Sequence, residues 1–449
     1  MRSYWLTCKG YATVADQFVL SIPHDAAIYL PALNDNYART AGKSLPQGRT
    51  LPQGLQLSDL AFWTGQSALW NHKVLLHSIG GHSVGSDTRG MLFSRSPGSF
   101  TLLGDSGGFQ IGKGTLQGLK GFKPRMTAQE AVNAWAENFD AKLWIIDWLE
   151  RYADYAMTID MPLWARTKDG SASPFHRCST EQLIAMTVEN LQIIEDNSQG
   201  RTKWLNVVQG TTAEDTLLWW NSIKWFRYGG WALAGAAGWR GGLANLLTTV
   251  LIMRDDGAFS PGQDWLHVLG VSQPKWDVLL TAIQQGLRAV NPRLQISFDS
   301  ATALFKAGKK DEYITPVNLG PSLADWRFRF EMLPSLRSHA DRNNPIPSPL
   351  HSPVGQQLMM HDLVVRDGEF DGRRLDNVSA QLLCNHNIWV ILQTSKRANA
   401  MAFGGARDQL PTLLADVLGV IEQLFCTANW RAVLDQHRSL LDAIAKTRY

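Results

Sequence analysis

Cysteine is scarce. Cys8, Cys178, Cys384 and Cys426 are the only four in 449 residues, and no two form a C-x-x-C pair. That excludes a dense disulfide framework, and a reduced cytoplasmic protein, bacterial or phage-encoded, is expected. No uncharged apolar run reaches about 18 residues, so no transmembrane helix and no membrane partner are expected. The opening residues, Met1 to Cys8, carry no apolar signal core. An excess of one charge sign is also missing. Lysine plus arginine number 43 against 40 acidic residues, a net charge of +3. Any contact with nucleic acid must then come from local basic patches and not from a global field. Internal repeats and low-complexity tracts are absent, which excludes solenoids and fibres.

What is present is apolar. Hydrophobic residues make up 45% of the chain and charged residues 18%, which excludes a disordered chain and allows a large core. Eighteen tryptophans are too many for the surface alone, so many must be buried or serve as stacking platforms. The length is about three times a ~150-residue domain and allows one to three domains.

Short apolar runs alternate with helical patterns from about residue 72 to 300. The runs are Lys73–Ile79, Phe100–Gly104, Tyr155–Ile159, Leu205–Val208, Trp231–Ala236, Leu266–Val271 and Leu294–Phe298. Continuous apolar runs of this length suit parallel strands buried on both faces. Between them, Thr127-Ala-Gln-Glu130 and Ser179-Thr-Glu-Gln182 read as capping boxes, the second leading into Leu183–Glu195. Thr212–Phe226, Gly242–Arg254 and Pro274–Val290 complete the helices, with Pro274 at the first helical position. One further strand, at Phe18–Ile22 or Ala27–Leu30, makes eight. The fold expected is α/β, a (β/α)8 TIM barrel, with a doubly wound open sheet as the alternative. Residues 1–70 read as an N-terminal extension that can hold the first barrel strand, 71–300 as the barrel core and 301–449 as a mostly helical C-terminal appendage. Within that appendage 340–375 reads as loop and 376–447 as helix.

In such a barrel the chemistry sits at the C-terminal strand ends. Those ends carry Asp105, Asp160, Gln209, Gly235 and Asp299. Each acid taken singly also reads as the N-cap of the next helix. Their coincidence at five strand ends favours a site. Two carboxylates facing one bound molecule suit displacement at a sugar carbon through an oxocarbenium-like transition state. A third carboxylate beside a glutamine suits the edge of a planar base.

Leu103-Gly-Asp-Ser-Gly-Gly-Phe-Gln110 resembles the tRNA-guanine transglycosylase family, whose members exchange a guanine for a 7-deazaguanine without breaking the backbone. Thr158-Ile-Asp-Met-Pro162, Val207-Val-Gln-Gly210, Gly230-Trp-Ala-Leu-Ala-Gly-Ala236, Val268-Leu-Gly-Val271 and Ser297-Phe-Asp-Ser300 follow in the family's order. The resemblance covers roughly residues 70–300 and also implies a (β/α)8 barrel. It implies Asp299 as the nucleophile at C1′, Asp105 as the general acid/base, and Asp160 and Gln209 on the base edge with help from Gly235 and Ala236. Phe109 matches the aromatic that stacks on the base, with Ser106 and Gly107 beside it in the binding loop. No cofactor is required for that chemistry.

Two departures stand out. The family's zinc motif, C-x-C-x-x-C with a distant histidine, lacks its cysteines here, although His386-Asn387 matches the histidine end. A Cys3His zinc site cannot be built, and zinc is not expected. His351, His361, Cys384 and His386 are the residues from which an unusual metal site would have to come, with polar loop histidines as the plainer reading. After Asp299 the chain continues Ala301-Thr-Ala-Leu-Phe-Lys-Ala-Gly-Lys-Lys310, unlike the tRNA enzymes. A retained exchange core with altered tRNA-facing parts resembles the family's DNA-modifying 7-deazaguanine branch.

The expected activity is therefore a DNA-guanine transglycosylase that takes a preQ0-like base, with DNA and the free 7-deazaguanine as partners. The branch also implies a ParB-like ATPase partner. A tRNA-guanine transglycosylase and a non-catalytic nucleic-acid-binding subunit are the alternatives. Extracting a base from a duplex requires flipping it or opening the strand. Lys113, Lys120, Lys123 and Arg125 after the binding loop, and Lys309 and Lys310 after Asp299, are the candidate phosphate contacts, against a plain solvated loop. His82, at the end of the second strand, reads as a loop histidine with a structural hydrogen bond.

Overall fold

The computed structural model describes residues 25–40, 44–83, 92–93, 95–96, 98–333, 348–363, 365–370 and 373–446. Eight parallel strands close into a barrel in sequence order. They are β1 (Ile28–Leu33), β2 (Val74–Ser78), β3 (Thr101–Asp105), β4 (Tyr155–Met157), β5 (Lys203–Val208), β6 (Gly230–Leu233), β7 (Trp265–Val268) and β8 (Gln295–Ser300). Closure is made by β1 on β8, with Leu30 opposite Asp299. The expected (β/α)8 barrel is the fold. Its first strand is the Ala27–Leu30 candidate, and the Phe18–Ile22 alternative lies outside the described residues.

Strand parity divides the core in two. Ile28, Leu30, Val74, Leu76, Leu103, Met157, Leu205, Val207, Ala232, Ala234 and Trp265 fill the lumen. Their neighbours, such as Tyr29, Leu75, Leu102, Leu266, Ile296 and Phe298, face the surrounding helices in a larger cluster. Both faces of each strand are therefore largely dry, which is why the strands read as mostly apolar runs, with buried exceptions such as His77, Asn206 and His267. The same parity aims residues two beyond a lumen residue back into the barrel mouth. Asp105 follows Leu103 in this way, and Gln209 follows Val207.

The helices begin where their caps put them. Thr127 and Glu130 form a reciprocal capping box before Ala128–Glu137, and Ser179 and Gln182 do so before Thr180–Asn197. Thr212 caps Ala213–Ile223, and Pro274 opens Pro274–Leu287. Each such side-chain cap contributes about 1 kcal/mol.

The C-terminal region adds three helices, Asn377–Phe403, Thr412–Cys426 and Trp430–Lys446. They pack on the outer helices Leu243–Asp255, Pro274–Leu287 and Thr302–Lys310, and one continuous apolar cluster joins both regions. Within 340–375 the loop expectation fails in part: Val365–Phe370 pairs antiparallel with Arg373–Leu375 as a hairpin. Residues 340–347 lie outside the described residues. Among the described residues no helix is long and apolar enough to cross a membrane.

His386 and Asn387 have a structural task in this layer. Asn387 accepts from the Ile314 amide at 2.8 Å and donates to the Ala303 carbonyl at 3.2 Å. His386 Nε2 donates to the Ile314 carbonyl at 2.9 Å, and Nδ1 meets the Ser352 hydroxyl at 3.0 Å. Nε2 must carry the proton because a carbonyl only accepts, so Nδ1 accepts from Ser352 and the ring keeps no lone pair for a metal. His351, His361, Cys384 and His386 do not converge as a ligand set among the described residues.

Candidate active site at the barrel mouth

A cavity of about 600 Å³ opens between the C-terminal ends of β1, β2, β3 and β8 and the start of the long helix Asn377–Phe403. Asp105 and Asp299 both line it, with Phe109, Phe305 and Lys309. Residues nearly two hundred positions apart thus share one pocket. The barrel accounts for this: both acids sit at the C-terminal ends of their strands, and β1 and β2 separate those strands.

Asp105 is held at its own strand end. Ser78, its register partner on β2, gives it a hydrogen bond, and the Gly107 amide donates to Oδ1 at 3.1 Å. Gly107 has φ 80, and a Cβ there would lie 3.3 Å from the Gly80 backbone. A side chain at 107 would strain the turn that aims this amide. Loss of solvent raises the Asp105 carboxyl above its ordinary range; Ser78 and Gly107 oppose the shift, and the nearby Asp299 adds to it.

Asp299 is fixed differently. The Gly270 amide donates to its Oδ1 at 2.8 Å, and His267 Nε2 lies 3.3 Å from the same oxygen. His267 is fully buried. Its Nδ1 lies 2.9 Å from Ser297 Oγ, which also accepts from the Trp265 indole at 2.7 Å. One tautomer makes every contact favourable. Ser297 donates to Nδ1, so Nε2 carries the hydrogen and points it at the carboxylate. Both donors hold Oδ1, and neither occupies Oδ2.

Asp160 and Gln209 lie on the neighbouring strand ends, each 6% exposed, and Gln209 Nε2 donates to Asp160 Oδ2. Asp160 feels the charge of Asp105, but neither residue lines the cavity. Burial pushes Asp160 up to about 7, with Gln209 opposing and Asp105 reinforcing. The raised value carries a stability consequence. A carboxyl whose folded pKa exceeds its unfolded value stabilises the fold fully only below the unfolded value, and that contribution is lost as pH rises through the folded one. Asp160→Asn should therefore change melting temperature little near pH ~4 and raise it most above pH ~7. Thermal melts across that range check this; an equal effect at both ends would remove the buried-acid explanation.

The remaining predicted residues separate into two groups. Phe109 is 55% exposed on the cavity, 5.4 Å from Trp164, with Lys113 Nζ over its ring at 4.3 Å. Lys113, Lys120, Lys123, Arg125, Lys309 and Lys310 are exposed. Ser106 is buried and donates to the Thr158 carbonyl, tying β3 to the end of β4. The Ala236 amide is committed to the Gly210 carbonyl at 2.7 Å. Gly235 has φ 59, and a Cβ there would lie 2.4 Å from that same carbonyl. Ser106 and Ala236 thus spend these groups on contacts within the protein, and neither lines the cavity.

Two contributors escaped the sequence reading. Phe305 is 53% exposed and lines the cavity together with Phe109, so two aromatic rings border the mouth. His267 lay unremarked inside an apolar strand. Strand parity with Trp265 and its register beside Ser297 were the signals for it.

No family model and no curated protein matches this chain. Among the solved structures that do match is a GH26 beta-mannanase from Bacteroides ovatus, at TM-score 0.31 and 13% identity over 62% of this chain and 80% of that one. A likeness so distant carries no chemistry across.

Proposed function

We propose that this barrel exchanges guanine in DNA for a 7-deazaguanine base by double displacement at C1′. One observation carries the reading: Asp105 and Asp299 open onto the same cavity, one with a raised pKa and the other with one oxygen held by two donors and the second without a hydrogen bond among the described residues. Two carboxylates in unlike environments are the acid and the nucleophile that such chemistry requires.

Asp299 Oδ2 attacks C1′ as the C1′–N9 bond breaks. The bonding pair goes to N9, and the proton of Asp105 neutralises the departing guanine. The ionised Asp105 then takes the N9 proton of the incoming 7-deazaguanine. N9 attacks C1′, the ester to Asp299 breaks, and the carboxylate returns. Two inversions give net retention, and no cofactor is consumed. Asp160 and Gln209, on the neighbouring strand ends, are the groups assigned to the base edge, although neither lines the cavity. Phe109 and Phe305 supply stacking faces for an extruded base. The exposed Lys113–Arg125 loop and Lys309–Lys310 supply the charge for phosphates.

His267 is a positioning residue in this scheme. His267→Gln retains an N–H donor and should keep most of the rate, whereas His267→Phe should lower kcat by about 10- to 100-fold with KM little changed. Equal losses in kcat for the two variants would mean the ring only fills space.

The test is direct. The purified protein, with and without a ParB-like ATPase, is incubated with a labelled 7-deazaguanine base and either duplex DNA, single-stranded DNA or tRNA. Label in DNA supports the proposal. Label in tRNA alone would move the activity to the other polymer, and label in neither would leave a binding subunit.

A further inference from the structure

Beside the acid pair lies a second cluster that the exchange reaction does not use. Asp35, just after β1, and His77 and His82, on and after β2, bring three donor atoms within 4.8 Å of one another. The two imidazoles are almost fully buried, at 1% and 3% exposure. They sit in an aromatic box, His77 nearly parallel to Trp148 at 6.0 Å and edge-on to Phe93 at 5.4 Å.

The backbone sets which nitrogen is offered. His77 Nδ1 lies 2.8 Å from the Leu33 carbonyl. A carbonyl only accepts, so Nδ1 carries the hydrogen and Nε2 presents a lone pair. That is the arrangement by which proteins orient a ligating histidine: the far nitrogen is tied to a carbonyl and the near one left open. His82 Nε2 faces it at 2.9 Å. In a tetrahedral zinc site with bonds of about 2.0–2.1 Å, two nitrogens stand ~3.3 Å apart. The pair needs to open by only a few tenths of an ångström. Without an ion, the same two atoms share one N–H···N hydrogen bond. Burial lowers both imidazoles, His77 to about 4, and so favours the uncharged form that binds metal.

The carboxylate completes the set. Arg39 Nε donates to Asp35 Oδ1 at 2.7 Å, which leaves Oδ2 for an ion. Asp35 lines the cavity shared by Asp105 and Asp299, which sets the cluster at the edge of that cavity.

We propose that Asp35, His77 and His82 form a site for one divalent cation of the zinc class, with its remaining coordination position turned toward the cavity. The donors are two nitrogens and one oxygen, the set that suits zinc and its borderline neighbours and not calcium or magnesium. The site takes neither Cys384, which lines the same cavity, nor His386 as a ligand. It does not depend on which reaction the cavity supports.

The experiment uses the full chain, stripped with a chelator and dialysed. Zn2+ is titrated by calorimetry, and Co2+ is added in parallel for its visible absorption. One ion per chain is expected, with a cobalt spectrum of low coordination number. His82→Gln and Asp35→Asn should each weaken binding by more than about 100-fold, a larger loss than an outer partner causes. Cys384→Ala should change nothing. Asp35 is only half-buried, so its variant decides the matter even if His82→Gln fails to fold. Absence of stoichiometric zinc binding, or full-affinity binding by the folded Asp35→Asn protein, would overturn the assignment.

Discussion

Asp299→Ala should lower base exchange by at least about 10⁴-fold, the scale seen when an attacking group is removed from a site that keeps its other parts. Asp299→Asn should be equally inactive. Its amide can still accept from Gly270 through the carbonyl oxygen, but it is no substitute for an attacking carboxylate. The difference between loss of chemistry and loss of the pocket is readable. Both variants should keep polymer affinity close to that of the parent, because neither removes any of the exposed lysines. Quenching a reaction of the parent protein with guanine-containing DNA but no incoming base should leave a denaturation-resistant protein–DNA adduct. Neither variant should form it. An adduct that persists in Asp299→Ala would place the nucleophile on another residue.

Asp105→Asn is expected to cost about 10² to 10⁴-fold, the usual range for a general acid or base. The pH profile identifies the role more sharply than the size of the loss. Burial raises the Asp105 carboxyl, and the neighbouring Asp299 reinforces the shift. Departure of guanine needs the protonated form, so kcat for the first step should fall as pH rises past that raised value. The amide does not titrate, and the limb should vanish in Asp105→Asn, leaving a slow, flat rate. A profile unchanged in shape would assign the proton to another group. Asp160 is the obvious rival, since its carboxyl lies near 7; a limb that disappears in Asp160→Asn and survives in Asp105→Asn would exchange their roles.

Most of the barrel was legible because its physics is repetitive. Strands dry on both faces must be apolar throughout, and the expected runs fall within a few residues of β2 to β8. Thr127, Ser179 and Pro274 mark helix starts by mechanisms that act within one turn, so they need no tertiary information. The acids at the strand ends were visible for the same reason, each closing an apolar run. What was hidden depended on neighbours distant in sequence. His267 sits inside such a run and is indistinguishable there from a core histidine; only the register of β7 on β8 brings it to Ser297 and Asp299. Ser106 and Ala236 look like ligand contacts because they lie in the matching segments, yet a carbonyl from a neighbouring strand end takes their hydrogen bonds. Phe305 precedes three lysines on a short helix, and nothing local says that its ring borders a cavity. The hairpin 365–375 was missed although Asp371-Gly372 is a turn signal between two strand-like segments. Asp35 gained meaning only when β1 paired with β2 and brought Leu33 opposite His77.

The cavity also explains a compromise. Asp105, Asp160 and Asp299 are three acids kept near one another in surroundings that disfavour charge on at least two of them. A fold selected for stability alone would replace Asp105 and Asp160 with amides. Their cost falls where a sugar–base bond would be opened, which is where binding of a cationic transition state would repay it.

The most direct measurement is nucleoside analysis by mass spectrometry of DNA and tRNA from matched cells that carry the intact gene, no gene, or the Asp299→Ala form. A 7-deazaguanine deoxynucleoside should be found in DNA with the intact gene alone. Its equal presence in DNA of cells carrying Asp299→Ala would contradict the claim that Asp105 and Asp299 act together on a nucleoside in this pocket.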